Sequence, residues 1–567
     1  MPSLDDLAQK LRAIDRKSYG AYKSIKGAWT DGPLTLVVEH VQGDPFAAPS
    51  TVHVRLAPER HGIPAELFEG EVRRVALTDF LLRVFAERAR HMRRVGGSGK
   101  SGQVQVDEGD AEVLARAGCA IDAEGLELRF RVGLPARGRN VLGRAAAELL
   151  CEAIPRAARG VCWNEVDQEA ARAFVLLTED HAHLQAQLAE HGLVAFVRDG
   201  SILPRESGVS SHPLQGAVPF RGPESLRVRL QTRHHGEVEG MGLPRGVTLV
   251  TGGGFHGKTT LLEAIQSGVH PHVPGDGREW VATDPDAVKV RSEDGRSVAG
   301  MDLRPFIRDL PGDRDTAWFD TPDASGSTSL AAAILEAAEA GARCLLLDED
   351  TCATNLLIRD ARMQALVQRE TIVPLIDRVR ELHDQLGIST LIVLGGSGDY
   401  LDVADRVLLL EEYVPREETE RAAAIAGALS TGRRPTEGAA PLQVPRRHLR
   451  AASFEPRPGR RQKIRARGLR ELQFGDETID LSALEQLVAD SQARAIGVLL
   501  QELRRSGDGQ PLRQAVEAVI TRARTRGLRT LDPAPELALP RAHELAAAVN
   551  RLRSLRVSPA RPEPAAE

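Results

Sequence analysis

Thr248-Leu-Val-Thr-Gly-Gly-Gly-Phe-His-Gly-Lys-Thr-Thr260 reads, in order, as a buried strand, a glycine loop and the first turn of a helix. From Gly252 the residues satisfy G-x-x-x-x-G-K-[ST], closed by Gly257, Lys258 and Thr259 and followed by apolar Leu261-Leu262. Glycines let backbone N–H groups curl around phosphate oxygens with no Cβ in the way, and the next helix aims its positive N-terminus at them. Lys258 is placed to reach the β and γ phosphates, and the Thr259 hydroxyl to hold Mg²⁺. The stretch predicts a nucleoside triphosphate site made by Gly252, Gly253, Gly254, Phe255, His256, Gly257, Lys258, Thr259 and Thr260. A glycine turn that only caps a helix would explain the composition but not the spacing.

Gly96-Gly-Ser-Gly-Lys-Ser101 looks similar, but Arg94 stands where the first glycine belongs. A basic helix precedes this loop and the strand-like Gln103-Val-Gln-Val106 follows it, the reverse of the required order. It is not expected to be a second phosphate site.

Downstream, Cys344-Leu-Leu-Leu-Asp348-Glu349 is an apolar strand ending in two carboxylates, the expected other half of the site. Asp348 is placed to bind Mg²⁺, directly or through water, and Glu349 to polarise the attacking water. Asp323-Ala-Ser-Gly-Ser-Thr-Ser329 opens an alanine-rich helix, with Ser325 lying 23 residues before Asp348. ABC-type ATPases carry their signature motif at this spacing and present it to the nucleotide of a partner subunit. Ser325, Gly326 and Ser327 are the candidates, and the reading implies a homodimer; the plainer alternative is a serine N-cap. The strand Thr390-Leu-Ile-Val-Leu394 runs into Gly395-Gly-Ser-Gly-Asp-Tyr400, where transporter-type domains carry a switch histidine. None is present, which leaves Ser397 or Asp399 as the nearest polar candidate. Gln266 lies too close to the glycine loop for a Q-loop. His270-Pro-His272 has no third ligand at metal spacing, while in the polar loop after the helix either Asp276 or Arg278 is a candidate to approach the nucleotide.

Net charge is −5 over 567 residues, so a polyanion surface would have to be local. Eight lysines stand against 66 arginines; codon bias explains this, although Arg is also the better phosphate fork. Five cysteines without a C-x-x-C pair suit reduced thiols. No apolar run approaches the ~18 residues of a membrane helix, and Asp5 and Asp6 argue against a leader. The expected compartment is the cytoplasm, with no membrane partner.

The expected organisation is a mixed α+β N-terminal domain over 1–165 and an α/β nucleotide-binding core over 166–430. A basic linker or arm spans 431–466, and a small helical domain with a disordered tail covers 467–567. In the first, a helix is expected over Leu4 to Ile14, strands at Leu34 to Val38 and Val52 to Leu56, and a basic helix over Leu81 to Arg94. Strands of the core are expected at Val194, Leu226, Val247, Cys344, Thr390 and Val407, alternating with helices as in a mostly parallel sheet. Thr431 to Arg467 holds ten arginines and Lys463 against two glutamates, a charge that invites a polyanion. Ile479 to Leu503 and Leu512 to Arg524 carry helical periodicity.

With these motifs in place, the chain resembles the predicted ATPases of the ABC class, a family with a kinetoplastid mitochondrial RNA-binding member. The resemblance spans nearly all of the sequence. It includes His40 to Pro49, Gly97 to Gly102, Asp199 to Pro204, Ser207 to Ser210, Thr251 to Thr260 and Val273 to Glu279. It continues through Ala324 to Ser329, Leu347 to Asn355, Gly395 to Tyr400 and Ile479 to Ser482. It implies an N-terminal domain, an ABC-type P-loop core and a small C-terminal domain, assembled as a homodimer. It also implies ATP and Mg²⁺ as cofactors, with Lys258 and Glu349 catalytic and Thr259 and Asp348 on the metal.

The expectation is an ATPase that hydrolyses ATP between two copies and couples this to RNA or another nucleic acid. Segments 83–100 and 446–467 are the candidate contacts. The alternative is an ATP-gated dimeric scaffold with negligible turnover, suggested by the missing switch histidine and Q-loop. A transporter subunit fits poorly with the extra domains.

Overall fold

The computed structural model describes residues 1–92, 96–310, 312, 315–367, 369–455 and 463–559. The chain divides into two units: Met1–Glu179 with Ala523–Leu539, and Asp180–Arg522 with Pro540–Glu567.

In the first unit, Ser3 starts the helix Leu4–Ala13 with a capping box. Its Oγ accepts from the Asp6 N–H while the Asp6 carboxylate accepts from the Ser3 N–H. An antiparallel sheet follows in the order Gly27–Asp31, Leu34–His40, Ser50–Leu56, Gly125–Val132 and Val104–Gln105, and Cys119–Asp122 also pairs with Gly125–Val132. Residues 523–539 return to this unit, where Leu537 O accepts from the Ala117 N–H at 2.8 Å and Arg131 pairs with Glu536 at 2.7 Å. Nothing in the local periodicity announces that return.

The basic helix expected from Leu81 begins at Glu71 and runs to Arg90. Arg83, Arg88 and Arg90 have partners within the unit. Arg83 binds Asp79 at 2.7 Å and donates to the carbonyls of Gly109, Asp110 and Glu112. Arg88 donates to Glu165 O and Arg90 pairs with Glu108. A guanidinium carries five donors in a fixed fork, and here that of Arg83 reaches three loop carbonyls as well as a carboxylate. Arg93 and Arg94 lie outside the described residues. In the look-alike loop the N–H groups of Ser98, Lys100 and Gly102 donate to Ala136, Pro45 and Gly133 carbonyls, so they do not form a phosphate cradle.

The second unit is built on a six-stranded sheet: Ala287–Lys289, Cys344–Asp348, Ser389–Val393, Val247–Gly252, Arg406–Glu411 and Val414–Glu417. The first five are parallel and the last closes an antiparallel hairpin. The apolar runs are continuous because both faces are covered. Leu345 and Leu347 pack with the helix Gly326–Glu339 on one face, while Cys344 and Leu346 pack with the helix Lys258–Ser267 on the other. A smaller antiparallel sheet orders Arg227–Gln231, Glu237–Pro244, Leu193–Arg198 and Val281–Thr283.

Toward the C-terminus, helices share the unit with a three-stranded sheet of Ile464–Arg467, Glu471–Phe474 and Glu477–Asp480. Ile479, expected to open a helix, therefore lies in a strand, and the helix starts at Asp490. Leu472, Phe474 and Ile479 are buried at period two around the Gly475 turn (φ 62°), so the short apolar stretch follows the strand pattern. Gly497 lets the helix Asp490–Ser506 approach this sheet, since a Cβ there would lie 2.4 Å from Ile464 Cγ2.

Two arginines of the expected basic arm are docked on the core. Arg433 pairs with Asp377 at 2.6 Å. Arg447 is 1% exposed; its Nε donates to Glu339 at 2.9 Å, and its other nitrogens donate to Ala299 O and Asn550 Oδ1, both at 2.7 Å. Arg447 is thus an internal ion pair and is withdrawn from any polyanion surface.

Candidate functional site

The Val247–Gly252 strand lies between two parallel neighbours, so the glycine loop leaves the sheet at the C-terminal edge of its middle. Gly252 has φ 138°, and a Cβ there would come within 2.3 Å of Leu410 O; only glycine fits this close approach. Gly257 (φ 91°) caps the helix Lys258–Ser267, whose first turn faces the loop. Lys258 Nζ donates to the carbonyls of Gly252 at 2.9 Å and Gly253 at 2.8 Å, folding its ammonium over the cradle.

A cleft of about 690 Å³ opens here, lined by the loop, Thr259, Thr260, Asp348, Glu349 and Tyr413, among others. The two halves read from sequence are brought together by the order of the parallel strands. Asp348 is buried at the end of its strand, and its Oδ1 accepts from the Asp350 N–H at 3.2 Å. A threonine hydroxyl and a carboxylate are the hard oxygen donors that suit Mg²⁺, which keeps most of its shell for water and phosphate. Among the described residues no group of three or more His, Cys, Asp or Glu could hold a metal.

Glu349 Oε2 accepts the N–H groups of Gly395 at 2.7 Å and Gly396 at 3.2 Å. The place where a switch histidine was sought therefore supplies backbone donors that hold the carboxylate. Sequence reasoning looked there for a polar side chain; the signal was the Gly-Gly pair directly after an apolar strand. Ser397 Oγ instead bonds Asp399 at 3.3 Å.

His256 is turned away from this cleft, its Nδ1 accepting from the Glu412 N–H at 3.2 Å. Ser325, Gly326 and Ser327 do not line the cleft either. Ser325 is exposed and N-caps the helix Gly326–Glu339, its Oγ accepting from the Thr328 N–H. Ser327 is buried and donates to Asn355 Oδ1 at 2.6 Å, so its hydroxyl does not face outward as expected.

Asp276 and Arg278, expected near the nucleotide, are structural. Asp276 is buried, with a lowered pKa despite its burial because His272 and Arg205 bind it. Arg278 donates to Leu203 O. His270 is buried and its pKa falls to about 4, chiefly by desolvation. His181 behaves likewise, falling to about 3, with its Nε2–H donating to Gly268 and Val281 carbonyls. All five cysteines are free. No helix among the described residues is long and apolar enough to cross a membrane.

Three family models match consecutive parts of the chain. They are the N-terminal region of ATPases of the ABC class over residues 4–164, the P-loop domain of ABC ATPases over 167–447, and the MRB1590 C-terminal domain over 463–558. The uncharacterized protein MJ1628 of Methanocaldococcus jannaschii is 32% identical over 241 residues, which are 41% of this chain and 53% of that protein. The chain thus spans about half the length of that relative. Among solved structures, the ATP-binding cassette MJ1267 of an ABC transporter, in its ADP conformation, is 12% identical, covers 42% of this chain and 96% of that one, and has a TM-score of 0.26. The cbiO1 protein of Clostridium perfringens, part of the ABC transporter complex cbiONQ, is 14% identical with 41% and 91% coverage and a TM-score of 0.26. At such scores these two likenesses add nothing to the family matches.

Proposed function

Because the chain belongs to the family of ABC-class ATPases, we propose that it binds ATP in the cleft between Gly252–Thr260 and Asp348-Glu349 and hydrolyses it. The observation that carries this is the shared cleft: a phosphate loop with its lysine faces a carboxylate held in place by two backbone amides. Lys258 neutralises phosphate charge as it swings from the loop carbonyls to the phosphates. Thr259 and Asp348 hold Mg²⁺, which when bound supplies further neutralisation of the phosphate oxygens. Glu349 takes the proton of the attacking water.

The reading extends to a homodimer in which each ATP also meets the exposed Ser325 and the half-buried Gly326 of a second copy. It extends further to RNA or another nucleic acid as the object of the work. Arg446, Arg450, Lys463, Arg465 and Arg467 are the exposed basic residues of the 446–467 segment among those described, and they support that surface. The domain division into 1–165, 166–430, 431–466 and 467–567 belongs to the same proposal, as does a cytoplasmic setting.

Replacing Glu349 by Gln tests the enzyme reading. Phosphate release should fall by about 10²- to 10⁴-fold, the usual worth of a general base, while ATP should trap a dimer visible in sedimentation. If the unmodified protein releases phosphate no faster than E349Q, with or without RNA, the ATP-gated scaffold replaces the enzyme. RNA, single-stranded DNA and duplex DNA titrated at two salt concentrations test the polyanion arm, whose affinity should weaken steeply with salt.

A further inference from the structure

Tyr413 stands apart from the other tyrosines. Tyr19, Tyr22 and Tyr400 are at most 3% exposed, whereas Tyr413 is 57% exposed and lines the phosphate cleft. It sits in the two-residue turn between Arg406–Glu411 and Val414–Glu417, where Glu411 pairs with Val414. Both turn residues are left-handed, Glu412 at φ 48° and Tyr413 at φ 70°. Such a turn favours Asn-Gly, and non-glycine residues there carry backbone strain of the kind found at ligand-binding sites. Two contacts brace the turn against the phosphate loop. His256 Nδ1 accepts the Glu412 N–H, and the Tyr413 ring lies over Gly257, where an added Cβ would meet its Cδ1 at 3.2 Å.

We propose that Tyr413 is the platform on which the nucleobase of the bound triphosphate stacks. This rests on the nucleotide-site reading and goes beyond it, naming the group that recognises the base. Phosphate chemistry needs no aromatic ring, yet the hairpin presents one beside the loop at a conformational cost. Phe255 also lines the cleft, but at 98% exposure it has no support from the protein and cannot hold a fixed plane. The other polar side chains lining the cleft are Lys258, Thr259, Thr260 and the carboxylates of Asp348, Glu349 and Asp350. On the nucleotide-site reading these groups serve the phosphates, the metal and the attacking water, which leaves the ring for the base. Recognition is therefore by stacking, and since every base has a π-face, ATP and GTP bind alike.

The test uses the full chain with Mg²⁺ and three probes: the imido analogues of ATP and GTP, and inorganic tripolyphosphate. Tyr413→Asn removes the ring but suits the left-handed turn; Tyr413→Phe keeps the ring. Asn should weaken both imido nucleotides about tenfold, the worth of one stacked base, and leave tripolyphosphate within about twofold. Phe should bind all three as the unmodified protein does. Equal losses for tripolyphosphate, or no loss with Asn, overturn the stacking role while leaving the nucleotide site intact. A strong preference of the unmodified protein for one purine overturns recognition by stacking alone. If the unmodified protein binds none of the probes, the nucleotide-site reading fails and the stacking role falls with it.

Discussion

Gly396 is the position at which the hold on Glu349 can be disturbed without filling the cleft, because it donates to the carboxylate but is not among the lining residues. An alanine Cβ there would lie 3.2 Å from Glu349 Oε1 and 3.8 Å from Oε2. The first contact is tight, so the carboxylate must move by a few tenths of an ångström, or the loop must yield by as much. The 2.7 Å bond from Gly395 remains and pins Oε2, so the group pivots without leaving. A misplacement of about 1 Å costs roughly 10²-fold in rate, and a shift of a third of that corresponds to about three- to tenfold. Gly396→Ala should therefore lower kcat by about three- to tenfold with little change in KM, since Gly396 does not line the phosphate site. Steady-state phosphate release measures both constants. A double-mutant cycle isolates the cause: in E349Q the same alanine should have no further effect, because the charged base it displaces is gone. An unchanged kcat, or an equal loss in both backgrounds, would refute the idea that the Gly395-Gly396 amides stand in for a switch side chain.

Arg447→Ala leaves Glu339 buried without its partner and should cost about 3–5 kcal/mol, seen as a lower urea midpoint. Replacing both by Met and Leu should cost less, and an Arg447→Ala chain as stable as the original would contradict the buried pair. Acid should destabilise the second unit before most carboxylates titrate. His181 and His270 are held neutral, with pKa values near 3 and 4 against 6.5 for a free imidazole. From about pH 6.5 down to about 4 the unfolded chain binds protons that the folded one refuses, so stability falls as pH falls. The expected loss is about 1 kcal/mol per pH unit for each histidine. Urea midpoints that stay flat between pH 7 and 5 would count against it.

Residues adjacent in the chain determined much of this protein by themselves. The strand, loop and helix from Thr248 to Thr260 follow from apolar run, glycine spacing and Lys258, because a phosphate cradle is local backbone geometry. Asp348-Glu349 was legible for a similar reason: an apolar strand that ends in carboxylates must deliver them at a sheet edge. What joined the two halves was strand order, and only the tertiary structure decided that. It also decided the fate of charges. Arg83, Arg88 and Arg447 look alike in sequence as candidates for a polyanion, but each finds a carbonyl or carboxylate far along the chain, 148 residues away for Arg447 with Ala299. A charge run records what a segment can bind, not whether the protein has already bound it. Ile479 was misread because a short apolar stretch fits strand and helix alike until its neighbours are known. Gly395, Gly396 and Tyr413 entered the site through backbone amides and a strained turn, whose roles exist only once the sheet brings them to Glu349 and Gly257.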